Sequence, residues 1–109
     1  MTDTGAVFVY VTAVDRDAAL ALGRALVEER LAACANVIEG MESVYWWQGK
    51  LEEAREAVLI LKTRAGLVGA LTERVRALHA YDCPCVVALQ IVGGNPDYLD
   101  WIAAETERA

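Results

Sequence analysis

The sequence predicts a mixed α/β domain of the α+β kind, a split βαβ fold with one antiparallel sheet. Three observations predict it. Short β-branched runs and amphipathic helical stripes follow one another in the order β-α-β-β-α-β, with a further helical segment at the end. Gln48-Gly49 divides two long extended runs, as a tight hairpin requires. At 109 residues the chain has room for one core and not two, so residues 1–109 are expected to form a single domain.

The first strand is expected over residues 6–14, where Val7, Phe8, Val9, Tyr10, Val11 and Thr12 make a run that is apolar on both faces and suits a central strand. Asp15-Arg16-Asp17 can cap the helix that follows, since aspartate accepts hydrogen bonds from the free amides of a first turn. That helix should run to about Arg30, with Ala19, Leu22 and Leu26 beside Gly23, Val27 and Leu31 as its packing face. Residues 33–47 and 51–63 read as two unusually long strands. Gly40 is expected to bend or bulge the first of them. The second ends in Ala57-Val58-Leu59-Ile60-Leu61, buried on both sides. A second helix is expected over residues 64–78, capped by Thr63, with Leu67, Val68, Leu71, Val75 and Leu78 inward and Glu73, Arg74 and Arg76 toward water. Residues 85–92 form the last strand. Asn95-Pro96 then starts a terminal helix with proline at its first position, anchored by Tyr98, Leu99, Trp101 and Ile102.

That order is the split βαβ of ferredoxin-like domains, with helices over one face of the sheet. The opposite face is then left without a cover. An apolar sheet face is too costly to expose, so copies of the same chain are expected to close over it. Hydrophobic residues make up 56% of the chain, a surplus that also points to a subunit interface.

A net charge of −6 argues against binding to nucleic acid, which needs clustered Lys and Arg, and against adhesion to an anionic membrane. Met1-Thr2-Asp3-Thr4-Gly5 has no basic leader, and residues 6–14 are too short to span a bilayer, so a cytoplasmic protein is expected. Cys34, Cys83 and Cys85 are odd in number and lack a disulfide framework, which suits reduced thiols used for packing or metal chemistry.

His79, Cys83 and Cys85 offer an imidazole and two sulfurs within seven positions, a set soft enough for copper(I) or zinc. The competing reading makes both cysteines small packing residues and His79 a helix-end residue favoured by the dipole. Cys34, among Ala33, Ala35 and Val37, reads as packing. Tyr45, Trp46 and Trp47 either line a cleft between subunits or hold an interface. Glu52, Glu53 and Glu56 lack the spacing of a calcium loop and read as a solvated strand face. There is no phosphate loop, and no nucleophile with its base, so no catalytic residue is assigned and no enzyme is expected.

Four stretches carry a family resemblance. Arg30-Leu31-Ala32-Ala33-Cys34-Ala35-Asn36-Val37, Ser43-Val44-Tyr45-Trp46-Trp47-Gln48-Gly49-Lys50, Leu61-Lys62-Thr63 and Asn95-Pro96-Asp97-Tyr98-Leu99-Asp100-Trp101 resemble successive signatures of the CutA divalent-cation-tolerance family. The resemblance runs in order from Val7 to Ile102. It implies a stable homotrimer with PII-like architecture, linked to tolerance of copper and other divalent cations, and no established catalytic reaction. The family usually carries His-Pro-Tyr-Glu-x-Pro-Glu after the second helix, whereas this chain has His79-Ala80-Tyr81-Asp82-Cys83-Pro84-Cys85. Of three copper-ligand positions proposed in some members, a Cys and two adjacent His, this chain holds Val11, Leu78 and His79. The expected metal set is therefore His79, Asp82, Cys83 and Cys85, with copper or another divalent cation as ligand. The alternative is a PII-like regulatory trimer that binds a small anion or metabolite near Trp47, Lys62 and Tyr81.

Overall fold

A computed structural model describes residues 4–107. Met1, Thr2 and Asp3, on which the expectation of a cytoplasmic protein partly rested, lie outside the described residues. The elements run β1 (Ala6–Ala13), α1 (Arg16–Glu28), β2 (Cys34–Trp47), β3 (Lys50–Arg64), a 3-10 turn (Ala65–Leu67), α2 (Val68–Leu78), β4 (Val86–Gln90) and α3 (Pro96–Glu105). The four strands form one sheet in the order β2-β3-β1-β4, every neighbouring pair antiparallel. This is the expected α+β fold.

Local chemistry sets the joints. The Asp15 side chain accepts the Ala18 amide at 2.8 Å and starts α1. The helix ends at Glu28, two residues sooner than expected. Arg30 takes φ +62°, its amide bonds the Val27 carbonyl and the Leu31 amide reaches back to Leu26, the Schellman pattern. Gln48 and Gly49, at φ +51° and +80°, make a two-residue turn in which Trp47 faces Lys50. The expected irregularity in β2 falls between Ile38 and Met41, with Gly40 at φ +83°.

The second helix departs from expectation. Pairing of β1 with β3 continues to Ala6 and Arg64, so Thr63 is a strand residue and not a cap. Its hydroxyl is buried and donates to the Leu31 carbonyl at 2.8 Å. Gly66 and Gly69, poor helix formers, lie where α2 was expected to begin, and the helix starts only at Val68 with no side-chain cap. Leu78 is exposed, and Arg74 does not simply face water: its guanidinium holds both oxygens of Glu29 at 2.8 to 3.1 Å, joining α2 to the end of α1. The pair with Glu29 raises the Arg74 pKa. The last strand is shorter than expected, with Cys85 and Val92 outside it.

Strand alternation divides the sheet cleanly. Val9, Val11, Leu59 and Leu61 face α1 and α2 and are fully buried with Leu26, Leu71 and Val75. Gly23 in α1 is what lets that helix approach, since a Cβ there would lie 2.9 Å from the Ala35 Cβ and 3.0 Å from Leu59 Cδ1. Gly23→Ala is expected to destabilise the protein by about 1–3 kcal/mol, because overpacking must shift a helix against a sheet. Urea unfolding at fixed protein concentration measures it, and an unchanged midpoint would show that the helix yields freely.

The opposite face carries Phe8, Tyr10, Thr12, Ile38, Val58, Ile60, Val87 and Leu89. It is partly covered after all. Helix α3 lies over the end of this face near Ala6: Ile102 packs with Ala6 and Ala33, Arg64 bonds Thr106, and Tyr98 sits over Lys62. Beyond that end, Ile38, Val87 and Leu89 stay exposed. Among the described residues no helix is long and apolar enough to cross a membrane.

Candidate functional site

The segment after α2 folds back over the free end of the sheet's second face. His79 directs it. Its amide closes α2 on the Val75 carbonyl, and its ring turns toward the end of β1. Nε2 lies 2.7 Å from the Thr12 carbonyl oxygen, and Nδ1 accepts the Tyr81 amide at 3.0 Å. A carbonyl only accepts, so this network places the ring proton on Nε2 and leaves the Nδ1 lone pair to Tyr81. Both nitrogens are therefore engaged within the chain. In this arrangement His79 is a clip between α2, β1 and the loop, and it would have to give up one of these bonds to ligate a metal.

The clip aims Tyr81. Its ring stacks at a tilt on His79, centroids 4.6 Å apart, and its hydroxyl donates to Glu56 Oε2 on β3 at 2.7 Å. Burial, followed by that hydrogen bond, pushes the Tyr81 phenol well above its ordinary pKa. Because the folded value is the higher one, its contribution to stability is intact below the ordinary phenol range and is lost only as pH rises through the raised value. The hydroxyl is thus a permanent donor at neutral pH. Glu56 is only 8% exposed, which corrects its expected place on a solvated face. The alternation that turns Val58 and Ile60 to the uncovered face turns Glu56 there as well, beneath the loop. The motif spacing gave no sign of Glu56 as a site residue; its register on β3 is the signal that could have found it.

Together these residues enclose a cavity of about 660 Å³. Thr12 and Glu56 form its floor on the sheet, and Ser43, Tyr45 and Trp47 of β2 form one wall. Tyr81, Asp82, Cys83 and Cys85 come from the loop. Three of the four expected metal residues thus border one space. Cys83 is exposed and Cys85 half-buried, and burial, then the charge of Glu56, pushes the Cys85 thiol up. No three or more His, Cys, Asp or Glu side chains among the described residues converge closely enough to hold a metal ion.

The second expected cleft is split apart. Trp47 and Tyr81 line the cavity, but Lys62 lies six residues from Glu56 along β3, about 20 Å away at the strand repeat. There its ammonium donates to Asn36 Oδ1 at 3.0 Å and lies 5.6 Å from the centre of the Tyr98 ring. Cys34, expected as packing, is half-buried, 3.6 Å from the Tyr98 hydroxyl. No Lys, Arg or His lines the cavity, so within one chain it offers an anion no positive charge.

Comparison with known proteins gives a consistent answer. A family model described as CutA1 divalent ion tolerance protein matches residues 7–105. A chloroplastic protein CutA 1 of Oryza sativa is 46% identical over 108 residues, which is 99% of this chain and 61% of that protein. The chloroplastic CutA of Arabidopsis thaliana is 48% identical over 92% of this chain and 55% of its own length. The chain therefore spans about 55–61% of these plant relatives. The solved CutA1 structure from Thermus thermophilus superposes with a TM-score of 0.91 at 44% identity, covering 94% of this chain and 99% of that one.

Proposed function

This chain belongs to the CutA1 divalent ion tolerance family, and from that premise we propose that it serves in the response to divalent cations as a homotrimer that binds metal ions and catalyses no reaction. The match over residues 7–105 carries this reading. The assembly is supported by an apolar sheet face that α3 covers only at one end, and by a β2-β3 arm whose Val44, Trp46 and Leu51 are exposed.

The metal contact lies at the cavity rim, where Cys83 and Cys85 supply sulfur and Asp82 a carboxylate. Thiolates favour copper(I), a soft ion, over hard divalent cations. His79 positions the loop that carries these groups, through Thr12 and Tyr81. The set is incomplete for the four positions of a structural zinc site, so ligand side chains must move or a second copy must contribute.

Anaerobic titration with copper(I), copper(II) and zinc against a competing chelator tests the proposal. Copper(I) is expected to bind in stoichiometric amount, and Cys83→Ser/Cys85→Ser is expected to weaken it more than about 100-fold, since even outer-shell changes cost roughly 10–100-fold. Acidification should weaken binding as well, because each thiol must lose a proton to coordinate, and Cys85, with its raised pKa, holds its proton to higher pH than an ordinary thiol. Binding that is weak and indifferent to the two thiols would overturn the direct-metal reading. A PII-like regulatory trimer has the cavity itself in its favour, but Lys62, its anion partner, is not there.

A further inference from the structure

The cavity beneath Tyr81 holds a carboxylate that the chain answers at one oxygen only. Glu56 is 8% exposed and gives Oε2 to the Tyr81 hydroxyl. Its Oε1 accepts no hydrogen bond from the described residues, and Glu56 enters none of their ion pairs. No buried side-chain oxygen among the described residues lacks a partner, so Oε1 keeps contact with solvent on the cavity that Glu56 lines, and is free to accept from a ligand there. Asp82 adds a second acid to the same space, and no basic side chain lines it.

The walls say what kind of cation fits. Tyr45, Trp47 and Tyr81 all border the cavity, and aromatic faces attract cations that carry an apolar body. Its volume, about 660 Å³, is that of a small-molecule site. A bare hard ion such as calcium or magnesium would fill little of it and would ask for about six or more oxygen ligands, and no cluster of three or more His, Cys, Asp or Glu side chains among the described residues could hold it. An anion would meet two acids. The geometry is also fixed in advance, since His79 holds the Tyr81 amide and Tyr81 holds the Glu56 carboxylate, so little ordering is left for binding.

We propose that this cavity binds a small organic ammonium ion, its charged head on Glu56 Oε1 and its apolar body against the rings of Tyr45, Trp47 and Tyr81. The Thr12 and Ser43 hydroxyls stand ready for a polar substituent. The site depends on Glu56 and the aromatic wall, and it is independent of the thiols proposed for copper(I).

Calorimetric titration of the full chain at neutral pH, with a chelator present to remove metals, tests this. The probe is 2-phenylethylamine, and 2-phenylethanol and 3-phenylpropionate are its neutral and anionic analogues. The amine is expected to saturate at one per chain, the alcohol to bind at least about tenfold more weakly, and the acid not to bind, since a hydrogen bond to a charged group carries that much. Glu56→Gln, checked for folding by thermal unfolding, is expected to lose about tenfold or more in amine affinity. The amine should also slow alkylation of Cys83 by iodoacetamide in the wild type. Cys83→Ser/Cys85→Ser is expected to keep amine binding, which separates this site from the metal site. Equal binding of amine and alcohol, no saturable amine binding, or full affinity in Glu56→Gln would each overturn the proposal; the first two need no variant.

Discussion

Ile38→Asp with Val87→Asp is expected to turn the assembled protein into monomers that keep their secondary structure. Ile38 is 56% exposed and Val87 50% exposed in the single chain, and both lie on the sheet face turned away from α1 and α2. Val87 pairs with Tyr10, Ile38 pairs with Val58, and Leu89 next along β4 pairs with Phe8, so the three continue one apolar surface. Helix α3 stops short of them, because its anchors Ile102 and Tyr98 hold it at the end of the sheet marked by Ala6 and Lys62. If copies close over this surface, each aspartate is buried without a partner in every interface, at roughly 1–3 kcal/mol or more per site. Symmetry repeats the penalty at every copy, so association should weaken by far more than about 100-fold. Light scattering after size exclusion reads the outcome directly. A wild type at three chain masses and a variant at one is the expected result; a variant at the wild-type mass would place the interface elsewhere, and a monomeric wild type would remove the trimer.

Leu59→Ala is expected to cost about 2–5 kcal/mol, the range for a leucine removed from a close-packed core. Leu59 has no exposed surface and sits mid-sheet, paired with Val11 on one side and Val37 on the other, under the point where α1 comes nearest. Its Cδ1 is one of the two atoms that a side chain at position 23 would strike. The two sites are therefore coupled, and the double variant Gly23→Ala/Leu59→Ala should be less destabilised than the sum of the singles, since the added methyl enters the space the leucine leaves. Urea unfolding at one protein concentration measures all three, concentration being held because assembly contributes to stability. A strictly additive cycle would mean that helix and sheet do not share this space.

The element order was legible because it depends on local pattern. The β-branched and aromatic run of residues 6–14, the stripe from Ala19 to Leu26 and the Gln48-Gly49 turn each declare a conformation through side chains a few residues apart. The ends of elements were less so. Thr63 reads as a cap until its strand neighbour Arg64 pairs with Ala6, and Arg30 reads as helical until the Schellman bonds turn it to positive φ. In both places a long-range pairing or an end condition overrode a local preference.

The site divides the same way. Asp82, Cys83 and Cys85 were visible as chemistry in a seven-residue segment, and they do border one cavity. His79 looked like a ligand because an imidazole beside thiols has that chemistry, but its nitrogens are committed to Thr12, sixty-seven positions back, and to the Tyr81 amide. Glu56 looked like one more solvated acid until the loop folded over it.

What the amino-acid order fixed on its own is therefore the α+β class and the strand and helix succession; the apolar surplus and the net charge of −6 gave expectations, of an assembly of copies and of no nucleic-acid partner. Which side chains meet was settled by register and by the path of the loop after α2. Sheet register places Lys62 at one end of the uncovered face and Glu56 at the other, and the His79 hydrogen bonds bring Tyr81 down on Glu56. Those are contacts between residues far apart in the chain, and the free energy that selects them comes from burying the whole sheet at once, which no short stretch of sequence carries.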